Sequence, residues 1–356
     1  MHKPERTTVT TDTTETIGCD LGDKETVTCA VNATGDVTHR GEVKTDRESI
    51  TRWFRGRPKA HVVMEVGTHS AWISGAARAA GHRVTVINPH VFKLISDSRR
   101  KSDMADAELL ARAARADLGL ITPVAHRSEQ TRVDLTLLRT RDLLVRERTK
   151  LVSHVRGTLK SFGVKPGSCS AETFHTRVAP FVPEPLKLAL EPVLNHLAQL
   201  EQTLKQLDAR VETTAKKHAK VVDLLTAVPR VGTLTALAFC LVVEDARRFK
   251  NSRDLGPYLG LAPGRRQSGD GDPQLGISKA GDGLLRRLLV QCAHQVMFKN
   301  APDSALKRWG VSKAKNGGKN GKKKMAVALA RKLAVVLHRL WVTGEPYKAF
   351  PQGAMN

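Results

Sequence analysis

Seven apolar residues, Leu190, Val193, Leu197, Leu200, Leu204, Leu207 and Val211, recur at alternating spacings of three and four. That spacing keeps one apolar stripe on one side of a helix, and a second helix is what covers such a stripe well. The chain is therefore expected to contain a coiled-coil element. Two partners fit it. The preceding segment, 132–162, can fold back as a helical hairpin across the Pro- and Gly-containing stretch 163–185, or the same helix of another subunit can supply the cover.

The preceding segment also carries Arg132, Arg139, Arg141, Arg146, Arg148, Lys150, Arg156 and Lys160. A solvated helix face accounts for such a run, and a side turned to nucleic acid is the competing account. Composition bears on that choice. Lys and Arg number 58 against 35 for Asp and Glu, a net charge of +23 over 356 residues. A chain this basic holds anionic partners near it, and a phosphate backbone is the commonest of them. Aromatic residues make up only 4%, which argues against base stacking as the main mode of recognition. The longest apolar run, 234–243, is about half of a bilayer span, and the first residues do not read as a signal peptide. No membrane anchor and a cytoplasmic location are expected. Cys19, Cys29, Cys169, Cys240 and Cys292 form no Cys-x-x-Cys pair and no zinc spacing, so they read as small buried hydrophobes in a reducing compartment.

Ahead of the helical region, residues 1–14 are a Thr-rich polar tail. Alternating runs at 16–21 and 26–31, joined by Gly22-Asp23-Lys24, predict a hairpin, and 37–43 a third strand. Helix-like 47–54 and 70–80 then alternate with strand-like 61–66 and 83–88. This is an α/β pattern with a mixed sheet, in the order of ribonuclease H-like domains.

Two of the predicted strands end on a carboxylate. Asp20 closes Ile17-Gly18-Cys19-Asp20, and Glu65 closes Val62-Val63-Met64-Glu65. A carboxylate in a buried strand costs several kcal/mol to desolvate unless its charge is offset, and a divalent cation is the strongest offset available. Asp103 and Asp106 are three apart at the start of a predicted helix and point to one side of its first turn. An oxygen-only set suits Mg²⁺ or Mn²⁺. Plainer accounts exist: Asp103 and Asp106 also suit a helix cap with a first-turn carboxylate, and Asp20 a turn residue before Gly22-Asp23. The strand, strand, helix order of all four favours the metal site.

Further on, Val228-Pro229-Arg230-Val231-Gly232 between two apolar helical runs reads as a helix-hairpin-helix, whose turn amides take a phosphate without reading sequence; a plain helical corner has the same grammar. Gly260-Leu261-Ala262-Pro263 then leads into a polar loop, 264–273, containing Arg265, Arg266 and Ser268. Ile277-Ser278-Lys279-Ala280-Gly281 opens a basic helix through Arg286 and Arg287, with Ser278 as its expected N-cap. Lys313, Lys315, Lys319, Lys322, Lys323 and Lys324 stand among Gly and Asn, a tract suited to following a phosphate backbone and lacking the register of a Walker loop.

These motifs in this order, with Met64-Glu65-Val66-Gly67-Thr68, Val86-Ile87-Asn88-Pro89, Lys101-Ser102-Asp103-Met104-Ala105-Asp106-Ala107 and Gln267-Ser268-Gly269, resemble the DEDD-type transposases of insertion-sequence family one-ten over about residues 15–345. The resemblance implies a RuvC-like, ribonuclease H-like domain (15–127), a helical coiled-coil region (128–218), a mainly helical transposase domain (219–345) and a tail (346–356). It implies Asp20, Glu65, Asp103 and Asp106 as the Mg²⁺-holding quartet and Ser268 as nucleophile. Arg265 and Arg266 then offset charge on the phosphate, and Lys279, Arg286, Arg287, Lys319, Lys322, Lys323 and Lys324 contact nucleic acid. DNA (element ends and target), a guide RNA and a homo-oligomer, dimer or tetramer, are the implied partners. In that assembly a coiled coil between subunits would bring the serine loop of one chain to the acidic quartet of another. The competing functions are a RuvC-type metal-dependent junction endonuclease in which water attacks, and a non-catalytic nucleic-acid-binding protein. One difference from the family stands out: Pro-Gly-x-Gly is common where this chain has Pro229-Arg230-Val231-Gly232, so loss of the φ > 0 residue and an altered turn are expected.

Overall fold

The computed structural model describes residues 15–88, 102–116, 123–264, 275–315 and 320–350. Two compact units divide the chain, Met1–His126 and Arg127–Asn356.

In the first unit, β1 (Glu15–Leu21), β2 (Glu25–Asn32) and β3 (Val37–Lys44) form an antiparallel meander, with Gly22 N–H donating to Glu25 O at 3.1 Å across the first turn. Helix α1 (Arg47–Arg55), capped by the Asp46 carboxylate, leads into β4 (His61–Glu65), and α2 (Ser70–Ala79) leads into β5 (Arg83–Ile87). Strand β4 lies parallel to β1, and β5 parallel to β4, so the sheet order is β3-β2-β1-β4-β5. This is the mixed sheet of a ribonuclease H-like domain, as the strand pattern predicts.

Period-two alternation divides the sheet into two faces. Ile17, Cys19, Val62, Met64 and Val86 bury against Ile50, Phe54, Ile73 and Ala77 of α1 and α2. On the other face, Val27, Cys29, Val63 and Ile87 meet Ala107, Leu110 and Ala114 of helix α3 (Asp103–Ala116). Gly18 and Asp20 share the register of this second face.

The second unit is helical. Helix α4 (Glu129–Ser161) and α6 (Glu184–Lys217) form an antiparallel hairpin through the short α5 (Phe174–Val178). Arg141 pairs with Asp208 and Arg148 with Glu201, so numbers rise along one helix as they fall along the other. Leu190, Leu197, Leu200, Leu204 and Val211 are buried, while Val193 and Leu207 lie at the seam's edge. The cover is thus α4 of the same chain. Of the two partners the sequence allows, the structure shows the preceding segment folded back as a hairpin.

The hairpin's base joins a larger core. Leu135, Leu138, Val211 and Ala215 pack with residues of α7 (Ala219–Thr226), α8 (Thr233–Val243), α9 (Leu255–Tyr258), α10 (Gly283–Val296), α11 (Ala305–Lys315) and α12 (Gly321–Thr343). Helix α8 is buried from Thr235 through Val243, so the chain's longest apolar run is the centre of this core. Among the described residues no helix is long and apolar enough to cross a membrane.

Candidate functional site

The acidic face is built around a missing side chain. A Cβ on Gly18 would sit 2.0 Å from Ala107 O and 2.7 Å from Ala111 N, so α3 lies with its backbone directly on β1. Only glycine permits that approach. Two residues on, Asp20 points to the same face, and one step beyond the paired Cys19 and Met64 sets Glu65, the last residue of β4, next to it. The first turn of α3 carries Asp103 and Asp106 to this corner. Burial, then the charges of Asp103 and Asp106, push the Asp20 carboxyl above its ordinary value, against a hydrogen bond from the Leu21 amide. Two carboxylates of α3 thus act on Asp20 near the carboxyl end of β1.

The capping account of Asp103 and Asp106 meets a competitor in the structure. Ser102 Oγ accepts from Ala105 N–H at 3.2 Å, and Ser102 O from Asp106 N–H at 3.0 Å, so Ser102 performs the capping. Glu108, the next acid along α3, turns away and pairs with Arg40 (2.6 Å) and Arg112 (2.8 Å), which hold its carboxyl below the usual range. The donor set at the corner is all carboxylate oxygen, which fits a hard divalent cation. Among the described residues no three such groups stand at ligating distance from one another, so binding would require the side chains to draw together.

In the second unit, Ser268, Arg265 and Arg266 lie outside the described residues, as does Lys319. The loop's two ends are described, and they form a neck. Gly264 N–H donates to Gly276 O (2.9 Å), Ser278 N–H to Ala262 O (2.9 Å) and Lys279 N–H to Gly260 O (3.2 Å). Glycines again allow backbone to meet backbone: a Cβ on Gly260 would lie 2.2 Å from Ala280 O, and one on Gly281 2.1 Å from Tyr258 O. Arg286 braces the neck from α10, donating to Leu259 O (3.0 Å) and Ala280 O (2.7 Å). Its Nη1 is thereby a strut for the backbone. Lys279 is exposed at φ 57°.

Two sequence expectations need correcting here. Helix α10 begins after Asp282, whose carboxylate accepts from Leu285 N–H at 2.9 Å; Ser278, four residues earlier, is not the cap. At Pro229-Arg230-Val231-Gly232 the left-handed residue is kept, because Arg230 itself adopts φ 69° and its guanidinium donates to Asn300 O at 3.1 Å.

The charge run on α4 separates by helix face. Arg141 and Arg148 pair with acids of α6, and Arg156 stacks over Phe174 within the hairpin. Arg139 meets Asp282 at the start of α10, and Arg146 pairs with Asp142 of its own helix, which also holds Arg287 of α10. Asp142, Asp282 and Tyr258 were not singled out from the sequence; the spacing of Arg139, Asp142 and Arg146 on one helix face was the available signal. Lys322, Lys323 and Lys324 are exposed in the first turns of α12, where a cation opposes the helix dipole at a cost of a few tenths of a kcal/mol each.

A five-stranded mixed sheet in the order β3-β2-β1-β4-β5, followed by a helical unit, defines a ribonuclease H-like fold joined to a helical one. The comparisons are narrower. A transposase model of the DEDD IS110 type matches residues 17–163, and the Transposase IS116/IS110/IS902 family model matches residues 222–308. A probable family 20 transposase of Pseudomonas aeruginosa is 32% identical over 91% of this chain and 96% of its own length. The transposase for insertion sequence element IS1328 of Yersinia enterocolitica is 30% identical over 81% of this chain and 85% of its own. Among solved structures, Thermus thermophilus RuvC in complex with a Holliday junction substrate aligns at 19% identity and a TM-score of 0.25, over 31% of this chain and 99% of that one. The chain belongs to the IS110 family of transposases.

Proposed function

We propose that the protein cuts and rejoins DNA as the transposase of an insertion sequence, with Asp20, Glu65, Asp103 and Asp106 holding Mg²⁺ or Mn²⁺ and Ser268 as nucleophile. The observation that carries the reading is the acidic corner, where Asp20 is half-buried beside Asp103 and Asp106, and burial and their charges push its carboxyl above its ordinary value. Such an arrangement destabilises a fold, and it persists where a cation is to be received. A bound divalent ion would supply charge neutralisation at the phosphate and make a hydroxyl easier to deprotonate.

The chain's own residues do the rest. In the proposed step the Ser268 hydroxyl gives up its proton and its oxygen bonds to phosphorus, while the bond from phosphorus to the leaving sugar oxygen breaks and that oxygen takes a proton. One phosphodiester is exchanged for another, so the bond is conserved for rejoining. Arg265 and Arg266 offset the charge that builds on the phosphate. The neck holds the two ends of the serine loop together at Gly264 and Gly276. Lys279, Arg287, Lys322, Lys323 and Lys324, with Lys319, supply phosphate contacts, and a structured guide RNA and a homo-oligomer are the assembly partners this reading includes.

Denaturing gels of protein with end-labelled DNA test it. Wild type with Mg²⁺ should give a covalent adduct that chelation abolishes. Asp103→Asn and Glu65→Gln should lower cleavage on the order of a thousandfold, and Ser268→Ala should lose the adduct. Cleavage without an adduct would replace the serine by water as nucleophile. An adduct that survives in Ser268→Ala, or full activity in both carboxylate variants, would overturn the assignment.

A further inference from the structure

Helix α4 and the start of α10 enclose an open cleft of about 580 Å³, and its walls are unusually rich in guanidinium groups. Arg127, Arg139, Arg146 and Arg287 line it against two carboxylates, Asp142 and Asp282, an excess of two positive charges. We propose that this cleft clamps the phosphodiester backbone of a DNA strand at the neck of the serine loop. The proposal rests on the DNA reading above and adds a place and a set of residues to it.

The four arginines are not equivalent. Arg127 is occupied: its Nε and Nη2 donate to Val242 O (3.0 and 2.8 Å), and Nη2 also reaches Tyr258 Oη (2.8 Å). It gives the cleft floor a fixed charge. Arg139, Arg146 and Arg287 are 53%, 57% and 51% exposed, so each has one edge on protein and another open to solvent. Asp282, itself 8% exposed, holds Arg139 at 2.9 Å while capping α10. Arg146 and Arg287 share the single carboxylate of Asp142, and Arg287 Nη1 also donates to Gly283 O at 3.3 Å. A guanidinium has five donors, and one carboxylate cannot match two of them. The unmatched edges are already oriented, which suits the paired oxygens of a phosphate.

A structural role accounts poorly for this arrangement. Half-exposed ion pairs contribute little to stability, and two guanidiniums on one carboxylate also repel each other. The location points the same way. Gly281 and Gly283 line the cleft; Gly281 is the residue packed on Tyr258 O in the neck, and a Cβ on Gly283 would meet nothing nearer than Arg286 at 3.6 Å. Gly283, the first residue of this 14-residue helix, thus puts no side chain into the same space. An anion here would lie against the base of the loop and along a helix face, an open course suited to a strand.

Fluorescence anisotropy with labelled DNA, and with RNA of the same sequence, measured across a salt series, tests the proposal with two variants of opposite expected sign. Arg146→Gln with Arg287→Gln should weaken DNA binding about tenfold and reduce the slope of log K against log salt by about 1.4 to 1.8, two phosphate contacts' worth. Asp142→Asn frees both guanidiniums from their carboxylate and should tighten DNA binding several-fold. An unchanged salt slope in the double variant overturns the proposal, as does a loss confined to RNA. Weakened binding in Asp142→Asn overturns it too, since it would make the trio a structural unit; should the double variant fail to fold, this arm decides. Cleavage assays separate the two claims. Binding that responds as expected in a protein that never cuts DNA would sink the proposed function and leave the cleft, whereas normal cleavage with unresponsive binding sinks only the cleft.

Discussion

The corner at Gly18 and the neck at Gly260 and Gly281 are built in the same way and finished in opposite ways. In both, a glycine lets one backbone rest on another, with a hypothetical Cβ at 2.0 Å from Ala107 O in the first and 2.2 and 2.1 Å from Ala280 O and Tyr258 O in the second. The first contact brings Asp103 and Asp106 toward Asp20, and the charges are left to repel. The second stands beside arginines that are each held by a carboxylate or a carbonyl, Arg139 by Asp282 and Arg286 by Leu259 and Ala280. Backbone contact fixes where the groups stand, and charge pairing sets what each place still lacks. At the corner like charges stand together, and in the cleft beside the neck the guanidiniums are only partly neutralised.

The largest effect should come from breaking the corner itself. Gly18→Ala drives a methyl into the Ala107 carbonyl, and neither partner is a flexible side chain, so α3 must move off the sheet. A cost of about 3 kcal/mol or more is expected, with loss of DNA cleavage, and urea melts followed by circular dichroism would show it. Gly283→Ala, whose Cβ would make only ordinary van der Waals contact, nearest the Arg286 guanidinium at 3.6 Å, is the matched control in the second unit and should melt like wild type. If Gly18→Ala is as stable as that control, backbone contact does not set the corner.

Asp20→Asn sharpens the difference in charge. A carboxyl whose pKa is raised on folding contributes its full stability below its unfolded value and loses it as pH rises through the folded value. Charged Asp20 therefore destabilises the metal-free protein at neutral pH, and the amide should stabilise it, by up to about 1 kcal/mol, since the partly exposed site is screened by solvent. The advantage should shrink as pH falls toward the unfolded value and the wild-type carboxyl takes up its proton. Chelator-treated samples, melted at a series of pH values, give the comparison. A variant less stable than wild type at pH 7.5 would mean that Asp20 is satisfied in the fold and not waiting for a cation.

Much of this was legible before the structure. Alternation placed the strands, and carboxylates closing two buried runs named Asp20 and Glu65, because burial of a charge is a signal that sequence carries directly. Which groups face each other across helices is not carried that way. The charge run of α4 reads as one feature, yet Arg141 and Arg148 serve α6 while Arg139 and Arg146 serve the cleft, a distinction set by rotation about the helix axis relative to two different neighbours. The partner of the heptad seam was undetermined for the same reason, since a stripe specifies a helix and not whose helix. Asp282, capping α10 and holding Arg139 at once, is visible only when residues 143 positions apart come together.

Arg230 gives the smallest and most discriminating test. Gly260 and Gly281 also have positive φ, but there the lack of space for a Cβ already demands glycine. At Arg230 an ordinary L-residue occupies the left-handed region, at φ 69°, so conformation and space are separated. The left-handed region costs an L-residue about 1 to 2 kcal/mol, and glycine returns much of that by its greater freedom in the unfolded chain. The hydrogen bond from the guanidinium to Asn300 O is exposed and adds little. Arg230→Gly should therefore raise stability by only a few tenths of a kcal/mol, while Gly260→Ala, strained and clashing at once, should lose several-fold more. Urea midpoints of the two variants decide between space and conformation as the reason for glycine in this unit. A clear loss in Arg230→Gly would show that the arginine side chain, through Asn300, holds the turn that its backbone strains.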